Sequence, residues 1–172
     1  MTTMTTEDAA RARLEIDPGD STEFRRVLGH VPTSVAVVTA VIRGEAVGLT
    51  VGSFTSVSLT PPLVTFFIDL KSKTWTKLNQ ADSFTVNVLG AEHRHICKAF
   101  SRPTADRFEG IDWTPSAAGN PVLLEATVAL DCSRYKIDIL GDHVQVVGRV
   151  QGMSLQNPNM PLVFYRGTFL DI

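Results

Sequence analysis

Val35-Ala36-Val37-Val38-Thr39-Ala40-Val41 is the stretch on which the fold turns. Five of its residues are β-branched and its apolar run is continuous, so it reads as a buried strand rather than a helix. Arg43-Gly44-Glu45 supplies a turn, and Ala46 to Thr50 returns alongside. Ser53 to Leu59 runs on, Thr60-Pro61-Pro62 breaks it, and Leu63 to Ile68 follows. Four short strands between residues 35 and 68 point to a barrel or sandwich.

Upstream, Asp20-Ser21-Thr22-Glu23 predicts a capping box for a short helix with Phe24, Val27 and Leu28 on one face and Gly29 as its stop. Residues 1–19 lack periodicity and read as a disordered or loosely packed tail, leaving 20–172 as one domain. Downstream, Thr74 to Ala81 predicts a helix capped by Ser72 or Thr74. Ser83 to Leu89 alternates, placing Phe84, Val86 and Val88 on one face and Thr85 and Asn87 on the other. Ala91 to Phe108 turns helical, Ile111 to Pro121 reads as loop, and 127–140, 143–155 and 161–171 read as three strands. No βαβ alternation exists, so the expected fold is a mostly antiparallel barrel rather than a nucleotide-binding parallel sheet.

The composition narrows the function. With 44% hydrophobic and 20% charged residues the 172-residue chain is ordinary globular material, and it holds no membrane-length apolar run. Sixteen basic against eighteen acidic residues give a net charge of −2, which offers no global field for nucleic acid. Cys97 and Cys132 lack disulfide-framework or metal spacing and read as small semi-buried hydrophobes. The start of the chain has neither a basic nor an apolar leader segment, so a soluble, cytoplasmic protein is expected.

No nucleophile elbow, phosphate loop or Gly-x-Gly-x-x-Gly fingerprint occurs. His93 and His95 lie two apart in a helical segment, cannot face one metal, and read as surface histidines; no metal is expected. The lack of an acid, base or nucleophile set suits hydride transfer between organic cofactors, which asks for positioning rather than protein chemistry. Two stretches could position such ligands. Gly48 to Ser58 is dense in small and hydroxyl residues, and Lys71-Ser72-Lys73-Thr74 precedes a helix with donors suited to an anion.

Several segments together resemble the short-chain flavin reductases, the reductase components of two-component flavin-dependent monooxygenases. They are Phe24-Arg25-x-Val27-Leu28-Gly29, Pro32-Thr33-x-Val35-Ala36-Val37-Val38-Thr39, Gly48-Leu49-Thr50-x-x-Ser53-Phe54-Thr55-Ser56, Pro61-Pro62-Leu63-Val64, Val86-Asn87-Val88-Leu89, Asp106-Arg107-Phe108, Gly141-Asp142-His143 and Pro161-Leu162-x-Phe164-Tyr165-Arg166-Gly167. Two positions depart from the pattern: Ser34 stands where glycine is frequent, and Gly52 where serine, alanine or glutamine is common.

The resemblance implies a mainly β, antiparallel, Greek-key-like split barrel with a few short helices, paired as a homodimer. It implies an NADH-dependent flavin reductase that reduces FAD or FMN and supplies a partner monooxygenase through diffusible reduced flavin. Flavin contacts are expected from Ala46, Val47, Gly48, Leu49, Thr50, Gly52, Ser53, Phe67, Ile68, Asp69, Lys73, Thr74, Ala99 and Phe100. Nicotinamide contacts are expected from His143, which is also the one candidate catalytic residue, and from Phe164, Tyr165, Arg166 and Gly167. NADH is favoured over NADPH because no Arg/Lys pair can be placed at a 2′-phosphate. Two alternatives stay open at this point: a flavin-retaining oxidase of the pyridoxamine-phosphate type, and a non-catalytic flavin-binding barrel.

Overall fold

The computed structural model describes residues 16–102, 106–158 and 160–170. Most of the expected tail therefore lies outside the described residues. Helix α1 (Ser21–Leu28) starts on Asp20, whose carboxylate accepts from the Thr22 and Glu23 amides. Only half of the capping box forms, because Glu23 turns to the Arg26 guanidinium, 2.7 Å away, instead of reaching back.

Strands β1 (Thr33–Ser34), β2 (Ala36–Ile42) and β3 (Glu45–Val51) follow, and the β2–β3 hairpin closes with both Arg43 (φ 53) and Gly44 (φ 83) in the left-handed region. That pair of positive φ angles matches the right-handed strand twist, which is why so short a turn suffices. Then come β4 (Thr55–Leu59), β5 (Pro62–Asp69), α2 (Lys73–Leu78), capped by Ser72, and β6 (Ser83–Val88). Next are α3 (Arg94–Ser101), a small hairpin of β7 (Trp113–Pro115) and β8 (Pro121–Leu123), and the long β9 (Val128–Leu140) and β10 (His143–Leu155). The chain closes with β11 (Val163–Tyr165) and β12 (Thr168–Phe169).

Seven strands form one antiparallel sheet in the order β3-β2-β6-β9-β10-β5-β4, and β1, β11 and β12 form a second. No ladder joins β3 to β4 among the described residues, so the large sheet is open at its two ends. Its strands carry two cores. Val38, Leu49, Phe66, Phe84 and Val146 pack on one side. Val35, Val37, Leu89, Ile96, Phe100 and Leu162 pack on the other. Neighbouring residues of β2 serve opposite cores, which is the reason its sequence is continuously apolar.

Thr85 and Asn87, the polar face of β6, are both fully buried, and four expectations are corrected around them and elsewhere. Asn87 donates to the Val37 carbonyl and the Thr39 hydroxyl and accepts from the Leu123 amide. The polar stripe of β6 is thus a satisfied internal network lying against β8, and residues 111–121 contain a hairpin rather than loop alone. The third terminal strand is split by a turn at Arg166 (φ 50) and Gly167 (φ 82), and the helix expected to reach Phe108 stops at Ser101. His93 is no surface histidine: it is buried and its Nδ1 accepts from the Gly90 amide 3.0 Å away, while burial pushes its pKa down.

Candidate functional site

The Thr65↔Thr55 pair of the β5–β4 ladder predicts, two residues on, a Phe67↔Ser53 rung. The backbone does not make it. Instead the Ser53 Oγ accepts from the Phe67 amide at 2.9 Å and donates to the Phe67 carbonyl at 3.2 Å. A hydroxyl, being donor and acceptor at once, can stand in for a peptide unit. This lets the backbone of Gly52 and Ser53 leave the ladders on both sides and turn between β3 and β4. Gly52 is confined there, since a Cβ would meet the Thr33 Oγ1 at 3.1 Å.

A cleft of about 440 Å³ opens at this junction. It lies within the roughly 300–1,000 Å³ range of small-molecule sites. Leu49, Thr50, Gly52, Ser53, Phe67, Ile68, Asp69 and His143 line it, joined by Thr33, Val51 and Ser72, which the site expectations omitted. Two of those three carried a signal: Thr33 in the Pro-Thr motif and Ser72 as a helix cap. Apolar walls flanked by hydroxyls and main-chain groups suit a flat, heteroatom-edged ring.

His143 reaches the cleft because it opens β10 directly opposite Asp69, the last residue of β5. Its Nδ1–H donates to the Asp142 Oδ1 at 2.7 Å, and this bond holds the Asp142 carboxyl below the usual carboxylate range. The bond leaves Nε2 as the ring nitrogen open to a ligand. The Leu70 amide donates to the Asp142 carbonyl at 3.0 Å and the Lys71 amide to the Asp69 carboxylate at 2.7 Å, so both turns at this end are fixed by the backbone.

The remaining expected residues lie elsewhere. Val47 and Gly48 are buried along β3, where the Phe100 ring sits so close that a Cβ on Gly48 would lie 2.6 Å from it. Phe100 and Ala99 therefore brace β3 from behind, and Ala46 sits at the far end of that strand. Lys73 is exposed and Thr74 half-buried in the first turn of α2, next to Ser72. Phe164 pairs with Thr33, and Tyr165 meets the His30 ring edge-on at 6.1 Å. Arg166 and Gly167 line a second cleft rather than the first. No group of His, Cys, Asp or Glu suited to a metal occurs among the described residues.

The outer edge of β3 is covered in a way the sequence did not disclose. Arg107 donates to the Gly48 carbonyl at 2.8 Å and to the Arg102 carbonyl at 2.9 Å. The Thr50 hydroxyl donates to the Cys97 carbonyl of α3 at 3.2 Å. Both cysteines are free and buried; burial pushes the Cys97 thiol up and carries that of Cys132 to about 12.

The antiparallel sheet with a cleft at its open seam is shared with a class of small flavin-linked domains, and residues 28–172 match the family described as the flavin reductase like domain. The chain belongs to that family. It is 40% identical over 167 residues to a flavin reductase of Pseudomonas putida, covering 96% of each chain. It is 39% identical to the reductase subunit HsaB of a flavin-dependent monooxygenase from Rhodococcus jostii, over 97% of this chain and 84% of that one. Among solved structures it superposes with a TM-score of 0.87 on the NADH:FAD oxidoreductase SgcE6 of Streptomyces globisporus in complex with NAD and FAD fragments. That protein is 32% identical, with 93% of this chain and 97% of the other covered.

Proposed function

We propose that the cleft between β3 and β5 holds a flavin ring with a reduced nicotinamide against it, so that the enzyme reduces flavin and releases it to a partner monooxygenase. The observation that carries this reading is the meeting of Leu49–Ser53, Phe67–Asp69 and His143 around one cavity, in a chain of the flavin reductase family. Flavin and nicotinamide supply the hydride chemistry when bound. The chain supplies position: Leu49, Val51 and Ile68 exclude water from the ring face, and the main chain freed at Gly52 and Ser53 meets its polar edge. In this reading the ammonium of Lys73 and the hydroxyl of Thr74, beside Ser72, meet a ribityl phosphate. His143, fixed by Asp142, orients the nicotinamide carboxamide through Nε2. Phe164, Tyr165, Arg166 and Gly167 extend the nicotinamide side.

The chosen substrates are NADH with FAD or FMN, and reduced flavin leaves by diffusion in the cytoplasm. We further read the open sheet as half of a split-barrel homodimer. Leu59 is 91% exposed, Met153 81% and Ile139 69%, more large apolar surface than single scattered residues explain. NADH oxidation at saturating flavin, with FAD, FMN, NADH and NADPH varied separately, tests the function. Flavin-dependent turnover is the expected result, and folded protein without turnover for any pair overturns it.

A further inference from the structure

Of the chain's four histidines only His93 is buried, and the reaction proposed above makes no use of it. It ends a 3-10 turn, Ala91–His93, that joins β6 to α3. Its Nδ1 accepts from the Gly90 amide, so the ring proton is on Nε2 and the imidazole is neutral. The same short stretch grips the connection between β10 and β11. Gly90 pairs with Pro161 in an antiparallel bridge, the Ala91 amide donates to the Met160 carbonyl at 2.8 Å, and the Leu162 amide donates to the Leu89 carbonyl at 3.0 Å. Leu162 is fully buried in the second core, and two residues further on Phe164 pairs with Thr33, a residue of the ring cleft. One imidazole therefore stands at the root of the sheet formed by β1, β11 and β12.

The ring also has a second place to bond. A Cβ on Gly90 would lie 3.4 Å from the His93 Nδ1 and 2.9 Å from the Thr127 Oγ1, so both side chains crowd the same glycine. The Thr127 hydroxyl is buried and has no hydrogen-bond partner among the described residues. Its backbone is fixed, the amide donating to the Val88 carbonyl at 2.8 Å and the carbonyl accepting from the Gln156 amide at 2.9 Å. A neutral imidazole can accept from Gly90; an imidazolium can only donate, and Thr127 offers the acceptor.

We propose that His93 is a proton-operated latch, which when neutral holds the Gly90 turn against residues 160–162 and when charged lets go of Gly90, turns to Thr127 and loosens β11 from β1. The charges around the ring are mixed: Glu92 and His95 on its own segment, and Glu125 from the loop before β9, which stands 3.5 Å from the His95 Nε2. Arg94, next in the chain, donates to the Leu170 carbonyl and lies over the Phe169 ring. Burial is the largest influence and pushes the His93 pKa below the ordinary 6.5, against the two carboxylates and with His95. A lowered imidazole pKa means that the closed turn is fully stable above 6.5 and loses stability as pH falls below it, until the closed form itself takes the proton. What the freed Thr33 wall does to a bound flavin rests on the reductase reading; the latch does not, and its test uses the chain without ligand.

That test is amide hydrogen exchange of the full chain, followed residue by residue by NMR and expressed as protection, so that the intrinsic pH dependence of exchange cancels. Between about pH 7 and about pH 5 the protection of Gly90 and Leu162 should fall about tenfold, while that of Val38 in the large sheet holds. His93→Asn supplies a side-chain oxygen that accepts from Gly90 and does not titrate, so its protection should stay level across the same range. His95→Gln, at the exposed neighbour, should fall as the natural chain does. Protection that ignores pH in the natural chain overturns the proposal, as does an equal fall at Val38 or a fall in His93→Asn that matches the natural chain.

Discussion

The two end strands of the large sheet, β3 and β4, meet water differently. Strand β3 is an edge in hydrogen-bonding terms but is mostly buried, because α3, Phe100 and Arg107 lie over it. Strand β4 is exposed along its length, and Leu59 stands almost wholly in solvent. Edge strands are hazards that proteins cover, shorten or pair. One end of this sheet is covered by its own chain, whereas the other leaves its edge bare.

That contrast can be broken from either side. The largest effect is expected from Gly48→Ala, which forces a Cβ into the Phe100 ring: a loss of about 3 kcal/mol in a denaturation experiment, partly rescued by Phe100→Leu. Arg107→Ala uncovers the Gly48 carbonyl and should cost about 2 kcal/mol by the same measurement, with Arg107→Lys restoring part of it. Ser53→Ala removes the hydroxyl rung between the ends and should cost about 1 kcal/mol while raising the KM for flavin more than it lowers kcat. Leu59→Lys, on the bare strand, should change chain stability by less than about 0.5 kcal/mol yet shift sedimentation toward monomer. An unchanged sedimentation coefficient would remove β4 from the dimer interface.

The thiols sharpen the comparison by doing nothing. With Cys132 pushed to about 12 and Cys97 also raised, both stay protonated and buried, so native protein should resist alkylation at pH 8. The stabilisation from this raised thiol pKa is fully present at neutral pH and is lost as pH climbs from the ordinary thiol value of 9.0 toward about 12, so Cys132→Ser should flatten the alkaline fall in melting temperature.

The covered end was legible in part. A continuous β-branched run announced β2 as a buried strand, and a Pro-Pro break separated β4 from β5 correctly. The stripe of Thr85 and Asn87 left its surroundings open, because polar residues at period two look alike whether they meet water or a buried amide network. Arg107 was visible only as part of a motif; its contact with Gly48 spans 59 residues and leaves no local trace. Of the expected ring contacts, Leu49, Thr50, Gly52, Ser53, Phe67, Ile68, Asp69 and His143 share one cleft, since strand ends bring them together. Ala99 and Phe100, expected to complete the ring and phosphate contacts, do not line that cleft, and the Phe100 ring packs on Gly48 of β3. A motif marks that a residue matters without saying which side of the backbone it acts on.

The Ser53 rung has a kinetic meaning as well. Elsewhere in the sheet, opening a strand means breaking a cooperative row of peptide hydrogen bonds, whereas here one side-chain rotation releases the Phe67 amide. The seam beside the cleft should therefore be the first part of the sheet to exchange its amide hydrogens, with Phe67 losing protection well before its neighbours Phe66 and Ile68. A site built to let its flavin go would then have its latch in a single hydroxyl.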